Sequence, residues 1–489
     1  MARRFLWPAA LCCALLTVVA TRASAEPAAW SPLPERLRQI LTAHDAPADG
    51  VGVYVHAVGA PAPLVSVNAA APFNPASTIK LLTTWVGLEE LGPAWRWPTE
   101  VYIRGDLQRG VLDGDLIIKG YGDPYLTTER LWLLLRELRL RGLRTIQGDL
   151  VIDNGYFADE YGDPADFDGD GLRAYNVFPD AFLVNFQALR LFFEPDPARN
   201  GVRVFADPMP ANLSVENRLQ LRSGRCGGFR NGVALNLEGG AARDRLIVSG
   251  RYGGNCELYS MTRSVLTGPT FAYGVFRSLW EELGGELQGN LRVAPGLIGA
   301  DSADTQPALF ARVESPALAE VIASINKYSN NVMSRHLFLT LAAETFEPPA
   351  TLAKARRAAV LALQRRGLDF PELRLDNGAG LSRNTRIAAQ SLGGLLLTAS
   401  ESPWMPEFVS SLSLAGLDGT LRKRFRGDAT TGRMHLKTGR LQDVFATAGY
   451  VHARSGRDYV VVILQNYPDA DRGPGEEAQA ALLRWVYEQ

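Results

Sequence analysis

Pro75-Ala76-Ser77-Thr78-Ile79-Lys80 opens a segment that runs to Leu91 and whose apolar residues have the spacing of a buried helix. Pro75 suits the start of a helix, so Ser77 is expected in the first turn, with Lys80 one turn further on the same face. Backbone N–H groups at a helix N-terminus point toward a developing oxyanion. The segment therefore predicts a serine nucleophile beside a lysine base, although a serine that only caps the helix fits the same residues.

Two further short motifs follow in the chain, Ser329-Asn330-Asn331 and Lys437-Thr438-Gly439. Taken alone, the first is compatible with a polar pair in a loop and the second with a lysine on an edge strand. In this order, after a Ser-x-x-Lys segment, the three motifs are typical of a serine acyl-transfer site.

Lysine is rare in this chain, which has 51 lysine and arginine side chains in total. Arginine keeps its proton near neutral pH, whereas a desolvated lysine can be tuned into a base. Chance survival in an arginine-rich sequence explains a single lysine, but two of them fall inside the three motifs. The sequence contains six lysines: Lys80, Lys119, Lys327, Lys354, Lys423 and Lys437.

The chemistry of such a site requires a nucleophile, a base, donors for the oxyanion and a cation for a substrate anion. We expect Ser77 to be the nucleophile and Lys80 its base, with the pKa of Lys80 lowered by burial and by the nearby Lys437. Ser329 is expected to pass a proton to the leaving amine.

The other motif residues are candidates for substrate binding. The side-chain amide of Asn331 can hold a substrate amide. If Lys437, Thr438 and Gly439 lie on a strand edge, the glycine lets the substrate backbone approach because it has no side chain. Lys437 can also attract the terminal carboxylate of a peptide.

The first 25 residues are typical of an export signal. Two arginines open it, an apolar stretch covers 5–20, and Ala23-Ser24-Ala25 supplies a cleavage site. The apolar stretch is too short for a membrane span. Lipidation at Cys12 or Cys13 is the weaker alternative, because Leu11 stands where a small residue is needed. No later stretch has 18 consecutive apolar residues, so we expect an exported, soluble protein.

Without these 25 residues the chain has 48 basic and 52 acidic side chains, a net charge of −4, which favours no nucleic-acid partner. Two cysteines remain, Cys226 and Cys256. In an oxidising compartment they can form a disulfide, and a pair of buried thiols is the alternative. The five histidines have no metal-ligand spacing, so we expect no metal site.

One acidic segment, Asp166-Phe167-Asp168-Gly169-Asp170-Gly171, imitates the start of an EF-hand calcium loop. The twelfth position of that loop is Val177, where calcium binding needs a bidentate glutamate. We therefore predict a polar Asx-type loop at this place.

Periodicity along the chain predicts an α/β protein interrupted by a β-rich insertion. Helical spacing predicts helices over 34–43, 77–91, 129–141, 269–284, 317–325, 330–342, 350–366 and 477–487. Alternating or apolar runs predict strands over 51–58, 64–67, 114–120, 148–153, 202–206, 232–237, 245–250, 433–437, 444–453 and 458–466. Helices and antiparallel strands from the two ends of the chain would form one α/β unit.

The two motif serines, Ser77 and Ser329, lie 252 positions apart, although an active site must bring them together. A gap of that length holds one or two small folded modules. Behind a signal peptide at 1–25, we expect a discontinuous catalytic domain over 26–98 and 306–489, an inserted β-rich domain over 99–190 and 259–305, and a second small β domain over 191–258.

In these motifs the chain resembles the penicillin-binding proteins and serine β-lactamases, whose domain combines an antiparallel sheet with helices. Because of the long gap between Ser77 and Ser329, the chain resembles in particular the class C low-molecular-mass group, the D-alanyl-D-alanine carboxypeptidases/endopeptidases. The resemblance covers nearly all of the mature chain. Further segments that carry it are 114–124, 148–150, 378–383 and 416–420.

The resemblance implies that Ser77 forms an acyl-enzyme with the penultimate D-alanine of a peptidoglycan stem peptide, and that β-lactams inhibit the protein. It implies an oxyanion hole made by the backbone N–H groups of Ser77 and Arg440, where the family more often has a small hydroxyl residue or alanine. That large cation affects the expected substrate preference. No metal or organic cofactor is implied, and the expected location is the periplasm or the cell wall.

Two other functions remain open from the sequence. A β-lactamase uses the same pair of a nucleophilic serine and a lysine, but its first two motifs usually lie much closer together in the sequence. A non-catalytic binder of cell-wall peptides would tolerate the loss of a motif, and none is lost here. Carboxypeptidases and endopeptidases cleave beside a D-alanine with the same residues, so the motifs do not separate them.

Overall fold

The computed structural model describes residues 30–223, 226, 232–240, 243–299 and 306–489. The predicted signal peptide lies outside these residues. None of the helices in the described part of the chain has the length and apolar character of a membrane span.

A six-stranded antiparallel sheet joins the two ends of the chain. The strand Val51–Ala57 pairs with Asp458–Asn466, so that Val53 lies opposite Ile463. Both faces of this sheet are covered, which explains why the run from Val460 to Leu464 is apolar at every position. The strand order is Ser413–Leu414, Met434–Leu441, Val444–His452, Asp458–Asn466, Val51–Ala57 and Val65–Val67.

Helices pack on the two faces of this sheet. The first and last helices, Glu35–Ala43 and Pro474–Tyr487, share a core with Val461 and Ile463 on one face. The other face packs against a larger group of helices that includes Lys80–Leu91. The other members of that group are Leu318–Lys327, Asn331–Phe346, Leu352–Arg365, Ala389–Ser400 and Met405–Ser410.

The middle of the chain builds a separate core around a seven-stranded mixed sheet. Its long hairpin pairs Pro98–Gln108 with Val111–Gly120, and the helices Thr128–Leu140 and Gly268–Glu282 contribute to the same core. The strand Ala308–Glu314 also pairs with this hairpin, although it lies beyond the boundary drawn at residue 306. The remaining strands of the sheet are Thr145–Ile146, Leu150–Asp153, Glu286–Leu287 and Leu291–Val293.

Two three-stranded sheets complete the insertion. In one, Leu189–Asp196 lies between Gly201–Asp207 and Tyr259–Arg263. In the other, Asp244–Gly253 lies between Leu213–Arg222 and Val233–Glu238, the first pair parallel and the second antiparallel. The division of the insertion into two domains stays a prediction.

Most predicted elements occur within a few residues of their expected bounds, with one difference at the site. Ser77 lies in a 3₁₀ turn, Ala76–Ile79, and the α-helix begins only at Lys80. Strands that the periodicity did not predict include Pro98–Gln108, Leu189–Asp196 and Leu213–Arg222. Gly105 and Pro195 interrupt the first two runs, whereas Leu213–Arg222 alternates apolar and polar residues and was missed despite that pattern.

The calcium-like segment forms a polar loop closed by its own side chains. The carboxylate of Asp168 accepts hydrogen bonds from the backbone N–H of Asp170 and the side-chain amide of Asn176, and Tyr175 donates its hydroxyl to the same residue. Among the described residues, no group of three or more His, Cys, Asp or Glu side chains has the arrangement of a metal site.

The structure joins Cys226 to Cys256, with Cα atoms 4.7 Å apart, at the edge of the insertion core. We expect replacement of both by serine to lower the free energy of unfolding by about 3 kcal/mol, because the unfolded chain loses a constraint. Chemical denaturation measures this change. The rate of acylation by penicillin should stay at the wild-type value, and an equal fall of that rate in the folded double variant would contradict a purely structural role.

Candidate active site

Ser77 is presented by a backbone turn that other residues hold in place. Ala76 has a left-handed φ of 45°, which is unfavourable for a residue with a side chain. The side chain of Asn74 accepts a hydrogen bond from the N–H of Ala76 at 2.9 Å, and Thr78 Oγ1 donates to the carbonyl of Pro75 at 2.8 Å. The turn leaves Ser77 partly exposed while its neighbours are buried.

Lys80 is completely buried at the start of the following helix. Its Nζ lies 3.1 Å from Ser77 Oγ and 2.8 Å from Asn331 Oδ1, and it also contacts the carbonyl oxygen of Ala379. Burial lowers the pKa of Lys80 well below its usual value, and the charges of Lys437 and Arg335 lower it further. An amine that is neutral at this place can accept the proton of the serine.

Ser329 lies between the helices Leu318–Lys327 and Asn331–Phe346, where the chain turns sharply. Its φ is 55°, and the side chain of Asn330 caps the second helix by accepting a hydrogen bond from the N–H of Met333. Ser329 Oγ lies 2.9 Å from Lys437 Nζ. The second and third motifs therefore meet through a contact between a serine and a lysine. The first motif contains a similar contact, between Ser77 and Lys80.

Lys437 is buried in the strand Met434–Leu441, and its Nζ also donates to the carbonyl oxygen of Thr438 at 2.8 Å. Burial lowers its pKa to about 7. The hydroxyl of Thr438 donates to Thr420 Oγ1 at 2.8 Å.

Gly439 brings the strand into contact with the turn of the nucleophile. A Cβ atom at this position would lie 2.7 Å from the carbonyl oxygen of Pro75 and 3.0 Å from the backbone nitrogen of Ser77. The absence of a side chain therefore serves the approach of the protein's own backbone, in addition to the approach of substrate that the sequence suggested.

We expect Gly439→Ala to slow acylation on the order of 10²-fold, because the strand must move away from Ser77. The matched control is Gly394→Ala in the helix Ala389–Ser400, where an added Cβ meets nothing within 4 Å. The acylation rate with a fluorescent penicillin measures both. A Gly439→Ala rate equal to that of the control would contradict the role of this close approach.

Asn331 is engaged at both ends of its side-chain amide. Its Oδ1 contacts Lys80, and its Nδ2 donates to the carbonyl oxygen of Tyr175 at 3.2 Å. Tyr175 belongs to the insertion, so this hydrogen bond joins the insertion to the site. In this arrangement the amide of Asn331 orients the lysine, whereas contact with a substrate amide stays a prediction.

Arg440 directs its guanidinium to Asp471, at 3.4 Å, and 63% of its side chain is exposed. This ion pair engages the guanidinium, whereas the role of the Arg440 backbone N–H in an oxyanion hole stays a prediction. The expected effect of Arg440 on substrate preference also stays a prediction.

Three residues at the site were not identified from the sequence: Ala379, Tyr175 and Arg335. Ala379 falls in the segment 378–383, which was noted for its resemblance, so a signal existed. Tyr175 contributes a backbone carbonyl, for which side-chain identity gives no signal. Arg335 lies one turn after Asn331 and carries a buried charge.

A family model matches almost the whole chain. The model of the D-Ala-D-Ala carboxypeptidase 3 (S13) family matches residues 33–489. The chain belongs to this family. Its members are serine peptidases that hydrolyse a D-Ala-D-Ala bond, so this member of the S13 family is a hydrolase, and the predicted family, fold class and enzyme class are confirmed.

Two curated relatives align over most of the chain. A D-alanyl-D-alanine carboxypeptidase of an Actinomadura species is 29% identical over 397 residues, which cover 78% of this chain and 71% of that protein. The D-alanyl-D-alanine carboxypeptidase DacB of Haemophilus influenzae is 25% identical over 402 residues, 81% of each chain.

The fold is that of solved members of the group. Penicillin-binding protein 4 of Haemophilus influenzae superposes with a TM-score of 0.75 at 21% identity, covering 93% of this chain and 99% of that one. The same Haemophilus protein has also been solved in complex with a β-lactam. A predatory endopeptidase of Bdellovibrio bacteriovorus superposes with a TM-score of 0.52 at 16% identity, covering 89% of this chain and 93% of that one.

Proposed function

We propose that this S13 protein removes the terminal D-alanine from peptidoglycan stem peptides through an acyl-enzyme on Ser77. The observation that carries the proposal is the 3.1 Å contact between Lys80 Nζ and Ser77 Oγ. Lys80 is buried, and the two charges that act on it, Lys437 and Arg335, are both positive. Such surroundings favour the neutral amine, which is the form that a base needs.

In the first step, Ser77 Oγ attacks the carbonyl carbon of the penultimate D-alanine while its proton passes to Lys80 Nζ. The backbone N–H groups of Ser77 and Arg440 stabilise the oxyanion. The carbon–nitrogen bond then breaks, and Ser329 Oγ delivers a proton to the leaving amine while it takes up the proton that Lys80 removed from Ser77. Free D-alanine departs, and Lys80 is neutral again. Lys437 Nζ, 2.9 Å from Ser329 Oγ, orients that hydroxyl.

In the second step, a water molecule attacks the ester carbonyl and gives its proton to Lys80. The bond to Ser77 Oγ breaks, Lys80 passes that proton to Ser77 Oγ, and the shortened peptide leaves with Lys80 neutral as at the start. Every proton in this cycle moves between groups of the protein, the substrate and the attacking water, so the proposal requires no cofactor.

Lys437 suits the terminal carboxylate of the substrate. Burial lowers its pKa to about 7, so an incoming carboxylate stabilises the charged form and favours binding. β-Lactams carry a comparable carboxylate beside a strained amide, and the Haemophilus relative was solved with one bound. We therefore propose covalent inhibition by penicillins and a location outside the cytoplasm, at the peptidoglycan.

Purified protein incubated with two muropeptides tests the proposal: a monomer that ends in D-Ala-D-Ala and a cross-linked dimer. We expect free D-alanine from the monomer, and penicillin should prevent its release. Splitting of the dimer to monomers would add endopeptidase activity at the same serine. Protein that is acylated by penicillin yet releases no D-alanine and splits no dimer would contradict the proposal.

A further inference from the structure

Arg335 is a charged side chain in the core of the catalytic unit, with 6% of its surface exposed. It lies in the helix Asn331–Phe346, four residues after Asn331 and therefore on the same face. Asn331 contacts Lys80 Nζ at 2.8 Å, so Arg335 is one helical turn from a residue that touches the proposed base.

Both residues hold the same short piece of the insertion, residues 175–178, here called the wall segment. Asn331 Nδ2 donates to the carbonyl oxygen of Tyr175 at 3.2 Å, and Arg335 Nη1 donates to that of Val177 at 2.9 Å. The guanidinium lies over the ring of Phe178, 5.5 Å from its centroid. Arg335 therefore fastens the wall segment beside the site.

The positive charge of Arg335 has no ion-pair partner among the described residues, and its buried Nε has no hydrogen-bond partner there. Two acidic groups, Tyr161 and Asp376, act in the opposite direction to burial and favour the charged guanidinium. The carboxylate of Asp376 already forms an ion pair with Arg356 at 2.9 Å. A buried charge without a partner lowers the stability of the fold, whereas an apolar side chain at this position would not.

Burial lowers the pKa of Arg335 to about 10, so the guanidinium remains charged at neutral pH. The charged groups that act on Lys80 are Lys437 from the strand and Arg335 from the helix. Lys437 has a pKa of about 7 and loses its charge as the pH rises through that value, whereas Arg335 does not. Of the two charges that act on Lys80, only that of Arg335 therefore persists as the pH rises through about 7.

We propose that Arg335 is a positioning residue that fastens the wall segment and, as a fixed buried charge, keeps Lys80 in the neutral form that accepts the serine proton. This inference rests on the proposed function of Lys80 as the base. Arg335 touches neither substrate nor Ser77 in this role, and its charge affects the reaction through Lys80.

The sign of the effect follows from electrostatics. A positive charge disfavours protonation of a neighbouring amine, so its removal raises the pKa of Lys80. The acidic limb of the acylation rate against pH, which reports loss of the proton from Lys80, then moves to higher pH. We expect a shift of about one pH unit, which corresponds to an acylation rate about tenfold lower on the acidic side and recovered at alkaline pH.

The test measures the acylation rate of the full-length protein with a fluorescent penicillin between pH 5 and pH 9. Arg335→Gln removes the charge and keeps an N–H donor for Val177, and Arg335→Met is a second neutral variant that suits a buried site. Arg335→Lys restores the charge on the acidic side and should return the limb toward its wild-type position. Phe178→Leu disturbs the wall segment without changing charge, and its limb should not move.

An acidic limb at the wild-type pH in either folded neutral variant would overturn the inference. Failure of both neutral variants to fold would overturn it as well, because Arg335 would then serve the fold and not the base. The proposed function fails on a different result, namely a wild-type protein that penicillin does not acylate. Thermal melting of each variant distinguishes folded protein from unfolded protein.

Discussion

We expect Ser77→Ala to abolish covalent labelling by a fluorescent penicillin and the release of D-alanine from stem peptides. The change removes the only atom that the proposed mechanism joins to the substrate, so the residual rate should fall below detection. Gel fluorescence after penicillin treatment and chromatography of muropeptides measure the two activities. Because Ser77 is partly exposed, the variant should melt at the wild-type temperature.

Ser329→Ala is the matched control, since it removes a serine hydroxyl from the same site without removing the nucleophile. It should be labelled more slowly than wild type, and the label should map to Ser77. Labelling that persists in Ser77→Ala at another position in the chain would remove the assignment of the nucleophile.

The second large effect is expected for Lys80→Arg, which keeps a positive charge but cannot accept a proton near neutral pH. Loss of a general base typically slows a reaction by about 10² to 10⁴. The larger guanidinium also has to fit a fully buried place that holds three acceptors, from Ser77, Asn331 and Ala379. Acylation rates with one penicillin measure the loss, and circular dichroism verifies that the variant is folded.

Lys437→Arg is the comparison that separates a base from a cation. If Lys437 acts mainly by attracting the substrate carboxylate, arginine preserves part of that attraction and the acylation rate falls less than in Lys80→Arg. A nearly unchanged rate in Lys80→Arg together with a collapsed rate in Lys437→Arg would reverse the two roles.

Local patterns predicted much of the secondary structure. The helix after Pro75 and the strand Asp458–Asn466 were predicted within a few residues, because an apolar stripe at helical spacing and an unbroken apolar run each have few alternatives. The strand Leu213–Arg222 was missed although its apolar residues alternate with polar ones, because Asn217 interrupts the apolar row and few of its side chains are buried. Position 77 also differed: its 3₁₀ turn depends on Asn74, which accepts from the N–H of Ala76.

The sequence by itself determined the motifs and therefore the chemistry of the site, because a nucleophile, a base and a cation are properties of side chains. It also indicated the family, through the spacing of Ser77 and Ser329. Only the tertiary structure decided how these groups act on one another. The 2.9 Å contact between Ser329 and Lys437 joins positions 108 apart, and no local spacing encodes it.

The tertiary structure likewise decided the charges around the base. Arg335 looks like an ordinary helix residue in the sequence, and Arg440 looks like a cation in the cleft. Folding buries Arg335 with no ion-pair partner in the part of the chain that the structure describes, and it turns Arg440 toward Asp471. The physical reason is that burial and the distance between charges set the protonation of Lys80, and both arise only when segments far apart in the chain pack together.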